Sequence, residues 1–154
     1  MTTDRVSAIE AVWRADGTRL WHSLTAFTGD RDVASDSMAE AFAQALGRGD
    51  GIRDPAAWVW KASFKIAAGE MARRSKAALS YDRLEVSMPE PVADLVSALR
   101  SLSPSQRAAA ILSWYADLPT KEVAGILGCS AATVRVHLAQ ARRRLRARLE
   151  ADDD

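Results

Sequence analysis

The sequence is poor in the residues that form disulfides, metal sites and tight turns. Its 154 residues include one cysteine, two histidines, eight glycines and five prolines. A single cysteine excludes a disulfide within the chain and favours a reducing compartment, so we expect the protein to be cytoplasmic. His22 and His137 are far apart in sequence and neither has a metal-ligand spacing, so we expect no metal and no cofactor. Because glycine and proline are scarce and alanine is abundant, we expect helices.

Long apolar runs and a large net charge are also missing. No apolar run approaches the ~20 residues of a membrane span, and residues 1–5 lack the layout of a secretion signal, so we expect no membrane association. The 21 basic and 20 acidic side chains give a net charge of +1. The charge is unevenly placed, because residues 135–148 contain six arginines and no acid, whereas residues 150–154 form an acidic tail. A local basic helix binds a phosphate backbone even when the total charge is near zero.

Residues 119–149 have the pattern of a helix-turn-helix. Thr120 is the predicted cap of a short helix, and Gly128 suits the left-handed turn that ends it. Ser130 is the predicted cap of a second helix. Apolar residues recur on one face of each helix, namely Val123, Ala124 and Leu127 in the first and Val134, Leu138, Ala141, Leu145 and Leu149 in the second. Two helices joined by a glycine-bearing turn are typical of DNA-binding proteins.

The exposed face of the second helix is the candidate DNA reader. Its polar and basic side chains suit phosphate oxygens and base edges in a major groove. The alternative is a helical hairpin whose basic face is only solvated. The candidate DNA-binding residues of the motif are Lys121, Ser130, Thr133, Arg135, Val136, His137, Gln140, Arg142 and Arg143.

The N-terminal half has two further helical patterns. Residues 5–28 form one helix, or two with a break at Asp16-Gly17. A second helix begins at Asp30 or Asp32 and continues to about Leu46. One side of it carries acids four residues apart, Asp32, Asp36 and Glu40. Carboxylates at that spacing repel one another, so this edge is either a docking surface or a solvated face.

A third helix follows the glycine-rich loop of residues 47–54. Asp54-Pro55 is a start signal, and the helix continues to about residue 76. Trp58, Lys61 and Lys65 share a face that suits an unstacked base and its phosphates. The alternative is that the tryptophan is in the core and the lysines are solvated. We expect Trp60 and Phe64, four residues apart, to be core residues.

The fold class that follows is all-α, with two small helical domains joined by a flexible linker. Residues 5–76 form the first domain, and residues 77–94, which include Pro89 and Pro91, form the linker. Residues 95–149 form a four-helix domain that contains the helix-turn-helix. Its first helix carries Leu95 and Leu102, and the next begins at Ser103-Pro104.

Two segments carry a resemblance to a known family. The first is Leu99-Arg100-Ser101-Leu102-Ser103-Pro104-Ser105-Gln106-Arg107, followed by the helix-turn-helix with Thr133-Val134-Arg135 and Ala141-Arg142. The second is the helix from Trp58 to Arg74. With this layout, residues 10–76 and 95–149 resemble the bacterial sigma-70 family. They are most similar to the compact extracytoplasmic-function sigma factors, which keep only the second and fourth conserved regions.

The resemblance implies a sigma factor that binds core RNA polymerase and directs it to promoter DNA. The acidic-edged helix would dock on the clamp coiled coil of the polymerase, the flap would be a second contact, and an anti-sigma protein is a further candidate partner. The loop and helix after it would read the minus-ten element as melted strand, and the helix-turn-helix would read the minus-thirty-five element as duplex. The implied polymerase-binding residues are Asp32, Asp36, Met38, Glu40 and Phe42. The implied minus-ten residues are Arg48, Ile52, Arg53, Trp58, Lys61, Lys65, Arg73 and Arg74.

Two other classes of function compete with this interpretation. A stand-alone helix-turn-helix regulator would bind operator DNA, as a dimer, without acting as a sigma subunit. An enzyme is disfavoured because no phosphate-binding loop and no catalytic cysteine–histidine pair is present. Cys129 lies in the predicted turn, where we expect a buried structural thiol. A helical adaptor would leave the basic second helix unexplained.

Overall fold

The computed structural model describes residues 2–48, 51–77 and 90–152. No residue in these ranges belongs to a β-strand, which confirms the all-α prediction. The helices are α1 (Thr2–Thr28), α2 (Arg31–Gly47), α3 (Pro55–Ala77), α4 (Glu90–Arg100), α5 (Pro104–Ala110), α6 (Thr120–Leu127) and α7 (Ala131–Asp152). A π-helical turn, Ile111–Tyr115, continues α5.

Helices α1, α2 and α3 pack together around an apolar centre. Helix α1 is continuous through Asp16-Gly17, which decides between the two alternatives for residues 5–28. Asp30 caps α2, because its Oδ1 accepts the amide hydrogens of residues 32 and 33 at 2.8 and 3.1 Å. Trp60 and Phe64 are 3% and 4% exposed, so their predicted place in the core is confirmed. The indole Nε1 of Trp60 donates to Asp16 Oδ2 at 3.0 Å and thereby ties α3 to α1.

The helices of the C-terminal half begin at strong local signals. Ser103 Oγ accepts the amide hydrogen of Gln106, and the Gln106 side chain accepts the amide hydrogen of Ser103, so α5 has a complete capping box. Helix α4 begins at Glu90, five residues before the predicted Leu95. Residues 78–89, which include most of the predicted linker, lie outside the described residues, as do residues 153 and 154 of the acidic tail.

The helix-turn-helix has the predicted geometry with one difference. Gly128 has φ +69°, and Ser130 Oγ accepts the amide hydrogen of Thr133 at 3.1 Å, so the turn and the second cap are confirmed. Helix α6 is preceded by Pro119 and has no side-chain cap, so the prediction that Thr120 caps it is wrong. Thr120 is the first helical residue, and the cap position before it is Pro119, whose ring fixes its φ near −60°. Val134 is fully buried where α7 packs onto α6.

The two halves of the molecule share one apolar core. Helix α6 packs on α3, and α5 and the π-helical turn pack on α1. The side chain of Arg107 lies at this junction, 8% exposed, and donates to the carbonyl oxygens of Phe27 at 3.0 Å, Leu99 at 2.9 Å and Leu102 at 3.1 Å. Arg19 donates to Ala116 O at 3.0 Å. We call this junction, defined by the contacts of Arg107 and Arg19, the seam.

We predict that Ser103→Ala destabilises the protein through loss of the α5 capping box. Loss of such a cap costs about 0.5–2 kcal/mol of the free energy of unfolding. Ser105→Ala is the matched control, because Ser105 is exposed in the first turn of the same helix and makes no capping bond. Urea denaturation followed by circular dichroism measures both variants, and equal stabilities would contradict the assignment of the cap.

Candidate nucleic-acid and protein interfaces

Helix α7 buries one face and leaves the opposite face open. Val134, Leu138 and Ala141 are at most 9% exposed and hold α7 against α5 and α6. The far side of the helix carries Arg135, Val136, Ala139, Arg143 and Arg146, all exposed. A face that combines small residues with arginines can approach a major groove closely and neutralise phosphates on either side of it.

The arginines of α7 divide into tied and untied groups. Arg144 Nη1 donates to Ser101 O at 3.1 Å, and Arg148 hydrogen-bonds the Ser97 hydroxyl, so both brace α7 against the α4 end of the fold. Among the described residues, Arg135, Arg143 and Arg146 have no hydrogen-bond or ion-pair partner, and their charges face solvent. The candidate DNA surface therefore contains fewer free arginines than the sequence suggests.

Several predicted DNA-reading side chains have partners inside the protein. The Ser130 hydroxyl bonds the Thr133 hydroxyl at 2.9 Å as part of the helix cap. Gln140 Oε1 accepts from Gln106 Nε2 at 3.0 Å, so this amide is directed to α5 rather than outward. His137 is half-buried, and its Nδ1 is buried without a partner within the described chain. Lys121, at the start of α6, is exposed.

A second basic surface surrounds Trp58 on α3. The Arg48 guanidinium, from the end of α2, lies 5.3 Å from the centre of the Trp58 ring. Trp58 is half-buried and packs against the core. It is therefore neither a fully exposed base-binding residue nor a fully buried core residue. Lys61 and Lys65 are exposed on the same face of α3. In the preceding loop, Ile52 is half-buried against the core and Arg53 is exposed.

Arg73 and Arg74, predicted to bind DNA, are paired with acids. Arg74 Nη1 donates to Asp30 Oδ2 at 2.9 Å, and its Nε donates to Glu70 Oε1 at 3.1 Å. Arg73 forms a further ion pair with Glu70. The charge of this end of α3 is therefore largely neutralised within the protein.

These ion pairs shift the titration of the groups involved. Hydrogen bonds from Arg73 and Arg74 hold the pKa of Glu70 below its ordinary value of 4.5. At Asp30, partial burial acts to raise the pKa, but the two backbone amides of the α2 cap and the charge of Arg74 outweigh it, and the pKa is lowered. The hydrogen bond to Glu70 and the charge of Asp30 raise the pKa of Arg74.

The acidic edge of α2 is exposed, whereas its predicted apolar partners are not. Asp32, Asp36 and Glu40 all face solvent. Met38 and Phe42 are 6% and 7% exposed and lie in the core. The Phe42 ring is in edge contact with the ring of Trp13 in α1. We therefore remove Met38 and Phe42 from the polymerase-binding surface, because their side chains are used to hold α2 on α1.

A groove between α2 and α3 joins the acidic edge to the paired arginines. Asp36 and Glu40 line it from α2, and Glu70, Arg73 and Arg74 line it from α3. The structure thus brings residues predicted for two different partners to one place. A partner that docked along α2 would meet the arginines as well as the acids.

Three further predictions from the sequence concern a metal site, a membrane-spanning helix and the cysteine. Within the described ranges, no group of three or more His, Cys, Asp or Glu side chains is placed to hold a metal ion. No helix there is both long enough and apolar enough to cross a membrane. The Cys129 thiol is half-buried rather than buried, and it packs against the core at the turn of the helix-turn-helix.

The sequence analysis missed Trp114, which touches the candidate DNA surface. The Arg142 guanidinium lies 5.4 Å from the centre of the Trp114 ring, and the ring is 44% exposed. Trp114 lies in the π-helical turn, 28 residues before Arg142. The only local signal for Trp114 would have been a large aromatic side chain on the exposed side of a predicted helix.

Comparisons with known proteins agree with this geometry. Residues 93–145 match the family model described as sigma-70, region 4. The chain is similar to the sigma factor RpoE, solved with the anti-sigma factor NepR from Bartonella quintana, at 19% identity and TM-score 0.71, over 97% of this chain and 96% of that chain. It is also similar to CnrH, solved with the cytosolic domain of CnrY, at 22% identity and TM-score 0.77, over 98% and 93%. No curated protein sequence matches the chain. The family match confirms the resemblance to sigma-70 proteins for residues 93–145, and the two structures show that the whole chain has the fold of these proteins.

We predict that Arg74→Met weakens the fold at neutral pH but not in acid. The lowered pKa values of Glu70 and Asp30 mean that their stabilisation is complete above their ordinary pKa values, 4.5 and 3.8, and is lost as the pH falls through the lower folded values. The melting temperature of the variant should therefore lie below that of the wild type at pH 7, and the two should converge once both carboxyls are protonated.

Thermal melts between pH 2 and pH 8 measure this convergence. Lys65→Met is the control, since Lys65 is exposed on the same helix and has no ion pair among the described residues. A pH-independent difference between Arg74→Met and the wild type would show that Arg74 acts through packing and not through its charge.

Proposed function

We propose that this chain binds core RNA polymerase and directs it to promoters. Its residues 93–145 match the sigma-70 region 4 family, and its fold is that of a sigma factor. The observation that carries the proposal is the helix-turn-helix, most of which lies in the matched segment, with arginines on the open face of α7. Such a protein would work in the cytoplasm, where the polymerase is.

Helix α7 is the proposed reader of the minus-thirty-five element as duplex. An α-helix fits the major groove, where each base pair presents a distinct set of donors and acceptors. Arg135 and Val136 are exposed in the first turns of α7, and recognition helices contact base edges through their N-terminal residues. Arg143 and Arg146 follow farther along the helix, where contact with the phosphate backbone is expected.

The Trp58 surface is the proposed reader of the minus-ten element as melted strand. Aromatic rings stack on unpaired bases, and neighbouring cations bind the phosphates that join them. Trp58 has an open ring edge with Arg48 over it, and Lys61 and Lys65 lie beside it. An incoming base that stacks on Trp58 would displace Arg48, which could then move to a phosphate.

The exposed acids of α2 are the proposed contact with core polymerase. Asp32, Asp36 and Glu40 form one acidic edge, and the α2–α3 groove continues it. An anti-sigma protein is a second proposed partner, because RpoE was solved in complex with one. We propose residues 5–76 and 95–149 as the two functional domains.

The two proposed DNA readers are packed in one body, and their targets are far apart. A compact chain of this length has a radius of gyration of about 15 Å. Elements centred about 25 base pairs apart are separated by about 85 Å along the duplex, at about 3.4 Å per base pair. A body of that size cannot reach both, so simultaneous reading requires that the seam opens.

The chain between the two halves contributes up to about half of that separation, and the dimensions of the two halves add to it. Ala77 ends α3 and Glu90 begins α4, so the connection is 13 residue steps long. Its contour length is at most about 45 Å. With the seam open, the tethered halves could bind two sites at once, and two weak contacts would act as one stronger one.

Reconstitution with core polymerase tests the proposal. Transcription from a genomic DNA library, followed by sequencing of transcript starts, should give a defined set of promoters only when the chain is present. Asp36→Arg should compete for core enzyme about tenfold or more worse than the wild type, because like charges facing across an interface cost several kcal/mol.

Glu10→Arg is the control for that charge reversal, since Glu10 is exposed on α1 away from the acidic edge. Normal competition by Asp36→Arg would place the docking surface elsewhere. A wild-type chain that ignored core enzyme but bound a two-fold symmetric duplex by itself would replace the sigma proposal with an operator-binding regulator.

We predict that Arg135→Ala weakens binding to a minus-thirty-five duplex by about 1–3 kcal/mol, as expected for loss of a direct base contact. Arg144→Ala is the matched control, because the two residues are nine positions apart and so lie on opposite sides of α7, and Arg144 is bonded to Ser101 O. Fluorescence anisotropy with a labelled duplex measures both. Equal losses would show that α7 contributes only general charge.

A further inference from the structure

Trp114 and Arg142 form a cation–π pair at the edge of the proposed DNA-reading face of α7. The guanidinium carbon of Arg142 lies 5.4 Å from the Trp114 ring centre, within the range of a cation–π contact. Both side chains are exposed. The pair connects the π-helical turn to α7, two elements that belong to the same proposed DNA-binding domain.

The π-helical turn puts Trp114 in this place. The amide of Ala116 donates to Ile111 O at 2.9 Å, a bond that spans one residue more than an α-helical turn. The two neighbouring aromatic residues consequently meet different helices, Trp114 at α7 and Tyr115 at His22 of α1, which shares a hydrogen bond with the Tyr115 hydroxyl at 3.1 Å. Such turns occur frequently at functional sites.

The contact with the ring does not occupy the hydrogen-bond donors of the arginine. A cation–π contact uses the charge of the guanidinium, and its N–H groups stay available to an acceptor. Arg144, Arg148 and Arg74, by contrast, spend donors on protein acceptors. Among the described residues, no hydrogen-bond acceptor bonds the Arg142 guanidinium or the Trp114 indole N–H, so both sets of donors are open.

The position of Arg142 on α7 indicates what those donors meet. Arg142 is seven residues after Arg135, which places the two on the same side of the helix, about 10 Å apart along its axis. When the start of α7 is in a major groove, a side chain two turns farther along that flank faces the sugar-phosphate strand. A phosphate oxygen is the acceptor that suits a planar guanidinium fork.

We propose that Trp114 and Arg142 together bind a backbone phosphate of duplex DNA beside the upstream element, with Trp114 as the positioning residue. The contact with the ring restricts the Arg142 side chain before DNA arrives, so less side-chain freedom is lost on binding. This inference rests on the proposed function, in which α7 reads duplex DNA.

Duplex titrations with the full chain separate positioning from charge. Trp114→Leu should weaken binding about three- to tenfold, on any sequence, and leave the salt dependence nearly unchanged because the arginine still reaches the phosphate. Arg142→Ala should weaken binding and lower the slope of the logarithm of affinity against the logarithm of salt concentration by about one. Trp114→Leu should have no further effect in the Arg142→Ala background.

Two variants guard against a merely structural explanation. Trp114→Phe keeps an aromatic face and should restore most of the affinity. Trp13→Leu removes a tryptophan from α1 that is 54% exposed, somewhat more than Trp114, and should leave duplex binding unchanged. Trp114→Leu that lowers the melting temperature but not the affinity would overturn the proposal.

Nuclear magnetic resonance distinguishes failure of this inference from failure of the proposed function. On saturation with duplex, the Arg142 Nε–H and Trp114 Nε1–H signals should shift together with backbone amides at the start of α7. Shifts in those amides without any change at Arg142 and Trp114 would overturn the phosphate site alone. The absence of any shift along α7 would overturn duplex reading by this helix, and the phosphate site with it.

Discussion

The buried guanidinium of Arg107 is the polar contact that ties the two halves of the molecule together. It donates to carbonyl oxygens at the end of α1 and around the α4–α5 junction, so one charge satisfies backbone groups from both halves. A buried charge is tolerated only when such bonds compensate its lost hydration. Arg107 therefore stabilises the seam strongly while both halves are in place and leaves acceptors unpaired when they part.

The seam leaves the proposed DNA surfaces on the outside while it fixes the distance between them. The open face of α7 and the Trp58 side of α3 both face solvent in the closed molecule. The closed molecule is too short to contact both proposed promoter elements at once, because its diameter is smaller than the distance between them. Because the halves share an apolar core as well as polar contacts, opening requires a partner that binds one half more tightly when the other has moved away.

Local features of the fold were predictable from the sequence, and long-range ones were not. The caps at Ser103 and Ser130 and the turn at Gly128 depend on residues within three positions of one another, so sequence patterns revealed them. The hydrogen bond of Gln140 and the contact of Arg142 with an aromatic ring depend on residues 34 and 28 positions away, in other helices. Family resemblance also placed Met38 and Phe42 on a docking surface, whereas the packing of α2 on α1 buries both side chains.

Energy transfer between the two halves tests the opening of the seam most directly. Dyes on Glu10→Cys in α1 and Asp94→Cys in α4, in a Cys129→Ala background, report the distance between the halves from two exposed positions outside either proposed DNA surface. The account predicts high transfer in the free chain and a clear fall when core polymerase and promoter DNA are added. Transfer that stays high in an active initiation complex would contradict it.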